Sequence, residues 1–149
     1  MSHEEHYRKL EHMYLIAPSQ QAFSPTVEIS EGQARVGWAV KPEMHHASAA
    51  MHGHVYFKLL DDATFFAAQS VMREHFVLTS HFSIYLLRPV QEGEIYAVGK
   101  VLNASKRQII AEAVAYDQRD KVIARGTGTF LTSGKQLSPE MGYLLPDEG

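Results

Sequence analysis

Two adjacent carboxylates, Asp61 and Asp62, interrupt an apolar stretch that opens on a glycine: Met51-His-Gly-His-Val-Tyr-Phe-Lys-Leu-Leu-Asp-Asp-Ala-Thr-Phe-Phe-Ala-Ala-Gln-Ser70. A carboxylate in such surroundings needs either a partner or a chemical task. From Val55 to Met72 there is no glycine or proline, so the stretch reads as a buried helix of about 27 Å. At about 100° per residue, Lys58, Asp62 and Gln69 share one stripe, with Lys58 and Asp62 at the i, i+4 spacing of an ion pair. Asp62 is therefore read as structural. Asp61 lies about 100° further round, with Phe57 and Phe65 one turn to either side and His54 and Ala68 two turns away. No cation shares its face. Poor solvation among phenylalanines raises the pKa of a carboxylate and suits it to act as a base or a nucleophile. The competing reading is an acid that faces water or bonds a loop backbone.

Composition limits what such an acid can serve. With 149 residues and 45% hydrophobic content, the chain is long enough for one domain with a real core, taken as residues 1–149. A net charge of -3 from 14 basic and 17 acidic side chains leaves no basic stripe for nucleic acid. The absence of cysteine excludes disulfides, thiolate metal sites and cysteine nucleophiles. No apolar run is long enough to span a membrane, and the N-terminus lacks the apolar core of a signal peptide. The expectation is a soluble, cytoplasmic protein whose chemistry comes from oxygen, imidazole and backbone groups.

The elements that must position the acid follow from periodicity. Tyr7, Leu10, Tyr14 and Ala17 predict a short amphipathic helix over 4–17, ending at Pro18, within a lead-in of residues 1–25. Val27 to Ile29 and Ala34 to Val40 predict a hairpin turning at Glu31-Gly32. After the long helix, strands are expected at Phe76 to Leu87, Glu94 to Leu102, Gln108 to Tyr116 and Val122 to Leu131, joined by polar turns and read as an antiparallel meander. Residues 133–149 read as an irregular tail. A hydrophobic helix set among so many strands is hidden only if the sheet curls around it, an α+β arrangement. The outer edge and face of such a sheet still need cover, which predicts subunit association.

From about Val36 to Leu131 the chain resembles the hot-dog-fold acyl-CoA thioesterases of the PaaI-like kind. The resemblance rests on element order, the His52-Gly53 helix opening, an acid nine residues after that histidine, and the turn Arg88-Pro89-Val90-Gln91-Glu92-Gly93-Glu94. It implies a curved antiparallel sheet wrapped around a long helix, and hydrolysis of an acyl-CoA to a carboxylic acid and free coenzyme A. Coenzyme A enters as part of the substrate, and neither cofactor nor metal is implied. By resemblance, the Gly53 N–H donates to the developing oxyanion at the helix start. Asp61 is the catalytic carboxylate, either as base for water or as nucleophile forming an anhydride. Thr79 matches a serine or threonine that orients the acid or the water, although a threonine chosen for β propensity reads the same. Two positions depart from the pattern. His46 stands where related enzymes often carry asparagine, and His54 replaces the second glycine of a frequent His-Gly-Gly. The resemblance also implies a homodimer or dimer of dimers, with His46 and Gly53 of one chain facing Asp61 and Thr79 of its partner.

Other residues carry weaker readings. His52, His54, Phe57 and Phe65 are candidates for substrate contact, the aromatics also serving as core. Lys106 and Arg107 are candidates for the coenzyme A phosphates. A non-catalytic acyl-CoA sensor, similar to the effector domain of bacterial fatty-acid repressors, is the main alternative, since its helix also opens on Gly-His with a phenylalanine three residues later. That helix lacks a carboxylate at the position of Asp61. A hot-dog hydratase would pair His46 with Asp61, but the Pro-Gly turn expected there is missing. The His45, His46, His52 and His54 cluster suggests a metal, yet no i, i+4 histidine pair on a helix supports one.

Overall fold

The computed structural model describes residues 1–148. In chain order it contains α1 (His3–Ile16), β1 (Thr26–Ser30), β2 (Gln33–Val40), α2 (Gly53–Ser70), β3 (His75–Leu86), β4 (Gly93–Ala104), β5 (Gln108–Tyr116) and β6 (Val122–Gln136). The six strands form one antiparallel sheet in the order β1-β2-β4-β5-β6-β3. α2 lies in its concave face, in the hot-dog arrangement that the resemblance implies.

Local chemistry sets the limits of the helices. Ser2 caps α1 by accepting the Glu5 N–H at 3.1 Å, and His52 caps α2 by accepting the His54 N–H at Nδ1, 3.0 Å away. α2 stops at Ser70, two residues short of the expected Met72, because Gln69 organises the turn into β3. Its Nε2 donates to the Met72 and His75 carbonyls at 2.9 and 2.8 Å, and its Oε1 accepts the Val77 N–H at 2.9 Å.

Small residues let the helix settle into the sheet. Val55, Leu59, Leu60, Ala63 and Ala67 are buried with Val36, Trp38, Ile95, Ala97, Ala113 and Ala115 in one core. Contact is closest at Gly99 on β4, where a Cβ would lie 2.3 Å from the Ala63 carbonyl oxygen. Only glycine leaves room for the helix backbone there.

The expected meander holds for β4-β5-β6 but not for β3, which pairs with β6 at the far edge. The short turns after β4 and β5 force neighbouring strands to pair, whereas the six residues Leu87 to Glu92 can extend about 20 Å, enough to cross about 14 Å of three strand spacings. This crossover passes the start of α2. The Tyr56 hydroxyl donates to the Arg88 carbonyl at 2.6 Å, and the Met51 N–H donates to Val90 O at 2.8 Å.

The two sheet edges are treated differently. α1 covers β1: Arg8 Nη2 donates to the Ile29 carbonyl at 2.8 Å and Glu11 Oε2 accepts the Ile29 N–H at 2.7 Å. Edge groups capped in this way cannot pair with another strand. β3 has no such cover among the described residues, and Leu78, Tyr85 and Leu86 on it are 53%, 72% and 51% exposed.

The expected tail is more structured than its composition suggests. β6 runs on to Gln136, and beyond it Tyr143 is buried. Gly149 lies outside the described residues.

Candidate active site

Asp61 and Thr79 meet in a cavity of about 430 Å³ between α1, α2, β3 and the C-terminal segment. The Thr79 hydroxyl donates to Asp61 Oδ1 at 2.9 Å. A bulge helps to aim it: Thr79 pairs with Phe130 and His81 with Thr129, so Ser80 is the extra residue immediately after Thr79. Phe65, Phe66, Phe76 and Leu78 supply apolar lining. Burial pushes the Asp61 carboxyl up to about 6, with a further push from Asp62, against the pull of the Thr79 hydrogen bond and Lys58. Such an acid is mostly ionised near neutral pH, yet basic enough to draw a proton from water. Its Oδ2 accepts no hydrogen bond among the described residues, which leaves it free toward the cavity.

Asp62, one residue on, is held in place. Lys58 Nζ donates to its Oδ2 at 2.5 Å, and the Tyr14 hydroxyl donates to the same oxygen at 2.8 Å. Lys58 also donates to Gln20 Oε1 at 2.9 Å. Burial raises the Asp62 pKa while Lys58 and Tyr14 oppose the rise. The sequence pattern pairs Asp62 with Lys58; Tyr14 and Gln20 were out of reach of that pattern because they come from other elements.

Gly53 and His46 occupy a second depression of about 280 Å³ at the start of α2, with Met51, Tyr56, Leu86, Leu87, Arg88 and Pro89. The Gly53 N–H has no partner among the described residues, as expected at a first helical position. Leu86 is the nearest side chain to a Cβ added there, at 3.4 Å. His46 is exposed, and its Nδ1 accepts the Ser48 N–H at 3.0 Å. Gly53 and Asp61 lie eight residues apart on α2, about 12 Å along the axis. Within one chain the structure thus joins Asp61 to Thr79 and Gly53 to His46, but leaves the two pairs in separate cavities.

The remaining candidates are scattered. Phe65 lines the Asp61 cavity. Phe57 is 40% exposed and packs edge-on against Phe82 at 5.3 Å between ring centroids. His52 and His54 are exposed at the helix start, with their Nδ1 atoms 2.8 Å apart. Lys106 and Arg107 are exposed in the β4–β5 turn. That turn lies at the end of the sheet near Leu78 and Leu131, whereas Gly53 sits by Leu86 at the other end. Sequence reasoning missed Met13, Tyr14, Gln20 and Met141 as lining of the Asp61 cavity. The helical period marks the buried face of α1, but the C-terminal segment carries no period that would reveal an inward methionine. Among the described residues, no group of three His, Asp or Glu is placed to share a metal ion, and no helix is long and apolar enough to cross a membrane.

Comparison with known proteins bears on this arrangement. The sequence profile of the thioesterase superfamily matches residues 49–124, from just before α2 into β6. A curated relative with a provisional esterase name, from Saccharolobus solfataricus, is 23% identical over 104 residues, covering 70% of this chain and 69% of its own. Among solved structures, the Escherichia coli PaaI protein of the phenylacetic acid degradation operon superposes with a TM-score of 0.82 at 22% identity, covering 91% of this chain and 98% of that one. A conserved Pseudomonas aeruginosa protein superposes with a TM-score of 0.73 at 27% identity, covering 83% and 96%. A thioesterase family protein from Silicibacter pomeroyi gives 0.75 at 21% identity, covering 83% and 95%.

Proposed function

Because the chain belongs to the thioesterase superfamily, and so to hydrolases of thioesters, we propose that its substrate is an acyl-CoA and that Asp61 is the catalytic carboxylate. The observation that carries this reading is the half-buried acid held by Thr79 at 2.9 Å in a cavity lined largely by apolar side chains. In the base route, Asp61 Oδ2 takes a proton from water as the water oxygen attacks the thioester carbon. The oxyanion formed is met by the Gly53 N–H, where the start of α2 favours negative charge. Collapse expels the coenzyme A thiolate and leaves the carboxylic acid. In the nucleophile route, Asp61 itself attacks the thioester carbon, the C–S bond breaks to release the coenzyme A thiolate, and water then hydrolyses the mixed anhydride to the carboxylic acid and free Asp61. His46 donates a hydrogen bond beside Gly53 in either route, and no group beyond coenzyme A, as part of the substrate, enters the chemistry.

The working unit in this proposal is a homodimer, alone or as half of a dimer of dimers, joined through the uncovered edge of β3. Two observations support it. The donor pair and the acid pair sit in different cavities of one chain, and β1, the other edge, is closed by Arg8 and Glu11. His46 and Gly53 of one protomer then face Asp61 and Thr79 of its partner. His52 and His54 flank the thioester, Phe57 and Phe65 contact the acyl group, and Lys106 with Arg107 meets the phosphates of a coenzyme A whose thioester lies at the partner's helix start.

The test is steady-state hydrolysis of short, long and aromatic acyl-CoA thioesters by the wild type and Asp61→Asn, with direct binding measured alongside. The expected result is turnover in the wild type, a loss of at least about 100-fold in the variant, and preserved binding. Tight binding without turnover in either protein would make the chain an acyl-CoA sensor instead.

A further inference from the structure

One wall of the Asp61 cavity comes from neither the sheet nor the central helix. Met13, Tyr14 and Ala17 come from α1 or its end, Gln20 from the turn that follows, and Met141 from the C-terminal segment.

This wall is fastened by groups that a passive tail would not need. His6, fully buried on α1, donates from Nε2 to the Gln69 carbonyl at 3.0 Å and accepts the Tyr143 hydroxyl at Nδ1, 2.6 Å away. His12 Nδ1 donates to the Gly142 carbonyl at 2.9 Å. Gly142 has φ +88°, a backbone conformation that favours glycine, where the segment lies against Ile16 of α1. On the opposite side, the Tyr14 hydroxyl ties α1 to Asp62 on α2 at 2.8 Å. Burial lowers the pKa of His6, in keeping with a neutral imidazole used as a two-ended clamp. Met141 sits two residues before Tyr143 and is thereby held in the cavity lining.

The polar groups of this wall are already engaged. Lys58 binds both Gln20 and Asp62, and Tyr14 binds Asp62; Lys135 is exposed at the rim. What remains toward the cavity is aromatic rings and thioethers, a surface for an apolar acyl group. Methionine is unbranched and fills irregular space without a fixed shape.

We propose that the clamped C-terminal segment is the size gauge of the acyl site, with Met141 as its specificity-determining residue. This rests on the acyl-CoA reading above, and shortening or enlarging Met141 should move the preferred acyl group without removing catalysis. The experiment compares wild type, Met141→Ala and Met141→Trp over an acyl-CoA series graded from short to long, recording kcat/KM and Kd for each. The expected result is a rise of about 10-fold in the long-to-short ratio of kcat/KM for the alanine variant and a fall of similar size for tryptophan, the scale of a few methylenes in an apolar pocket. Unchanged length profiles with turnover intact overturn the gauge and leave hydrolysis by Asp61 standing. No turnover in the wild type overturns hydrolysis instead, and the gauge is then judged on Kd: a shifted length dependence supports it and an unshifted one overturns it. Absence of both turnover and binding in the wild type overturns both. If the tryptophan variant does not fold, the alanine variant at the partly buried Met141 decides by the same criteria.

Discussion

At the residue scale the proposed chemistry turns on one carboxylate. Helical angle alone separates Asp61 from Asp62, because it puts Lys58 on the stripe of one and phenylalanines on the stripe of the other; the structure keeps that division, with Lys58 on Asp62 and Thr79 on Asp61. Since Asp61 is raised to about 6 and the proposed base or nucleophile must be ionised, kcat/KM should rise with pH through about 6 and level off above it. A profile that falls across that range would sink the role. The same shift has a sign for stability. The folded state binds the Asp61 proton more tightly than the unfolded chain, so the acid costs stability as pH rises from its ordinary 3.8 past about 6. Asp61→Asn, whose amide oxygen still accepts from Thr79, should therefore raise the melting temperature at pH 7 and change it little at pH 4. A shift of this size is worth up to about 3 kcal/mol before solvent screening reduces it. Thr79 could be singled out from sequence only through the family resemblance. Its hydrogen bond depends on where β3 lies beside α2 and on the bulge at Ser80, and neither has a sequence signal of its own.

At the element scale, strong periodicity was a reliable guide and chain connectivity was not. α1, α2 and all six strands fall within a few residues of their expected limits, except that β6 runs on from Leu131 to Gln136. The failure was the pairing of β3. A linker of the length of Leu87 to Glu92 permits either an adjacent strand or a crossover, and hydrophobic alternation does not distinguish them. The choice is made by the core, since the crossover closes the open end beside α2 and buries Val90. How tightly helix and sheet fit is testable at Gly99, whose added methyl would meet the Ala63 carbonyl at 2.3 Å. Gly99→Ala should lower unfolding free energy by about 2 kcal/mol or more in urea denaturation. A neutral result would mean that α2 rides higher on the sheet than described.

At the scale of the whole molecule the question is whether a partner completes the proposed site. With β1 closed by α1 and β3 open, association through β3 predicts that Tyr85→Lys, at a 72% exposed β3 residue outside both cavities, shifts the protein to monomer in sedimentation. Hydrolysis should fall with association while the fold persists by circular dichroism. Full activity in a monomer would refute completion by a partner. The amino-acid sequence by itself determined the helix and strand content and the odd acid, because these depend on periodicity, composition and local spacing, and the family through the resemblance of its motifs. The tertiary structure alone decided which strand stands at the edge, that Gly53 and Asp61 of one chain open into different cavities, and that the C-terminal segment folds back to wall one of them. Those outcomes depend on contacts such as His6 with Tyr143, which are 137 residues apart and meet only when the core has brought α1, α2 and the chain's end together.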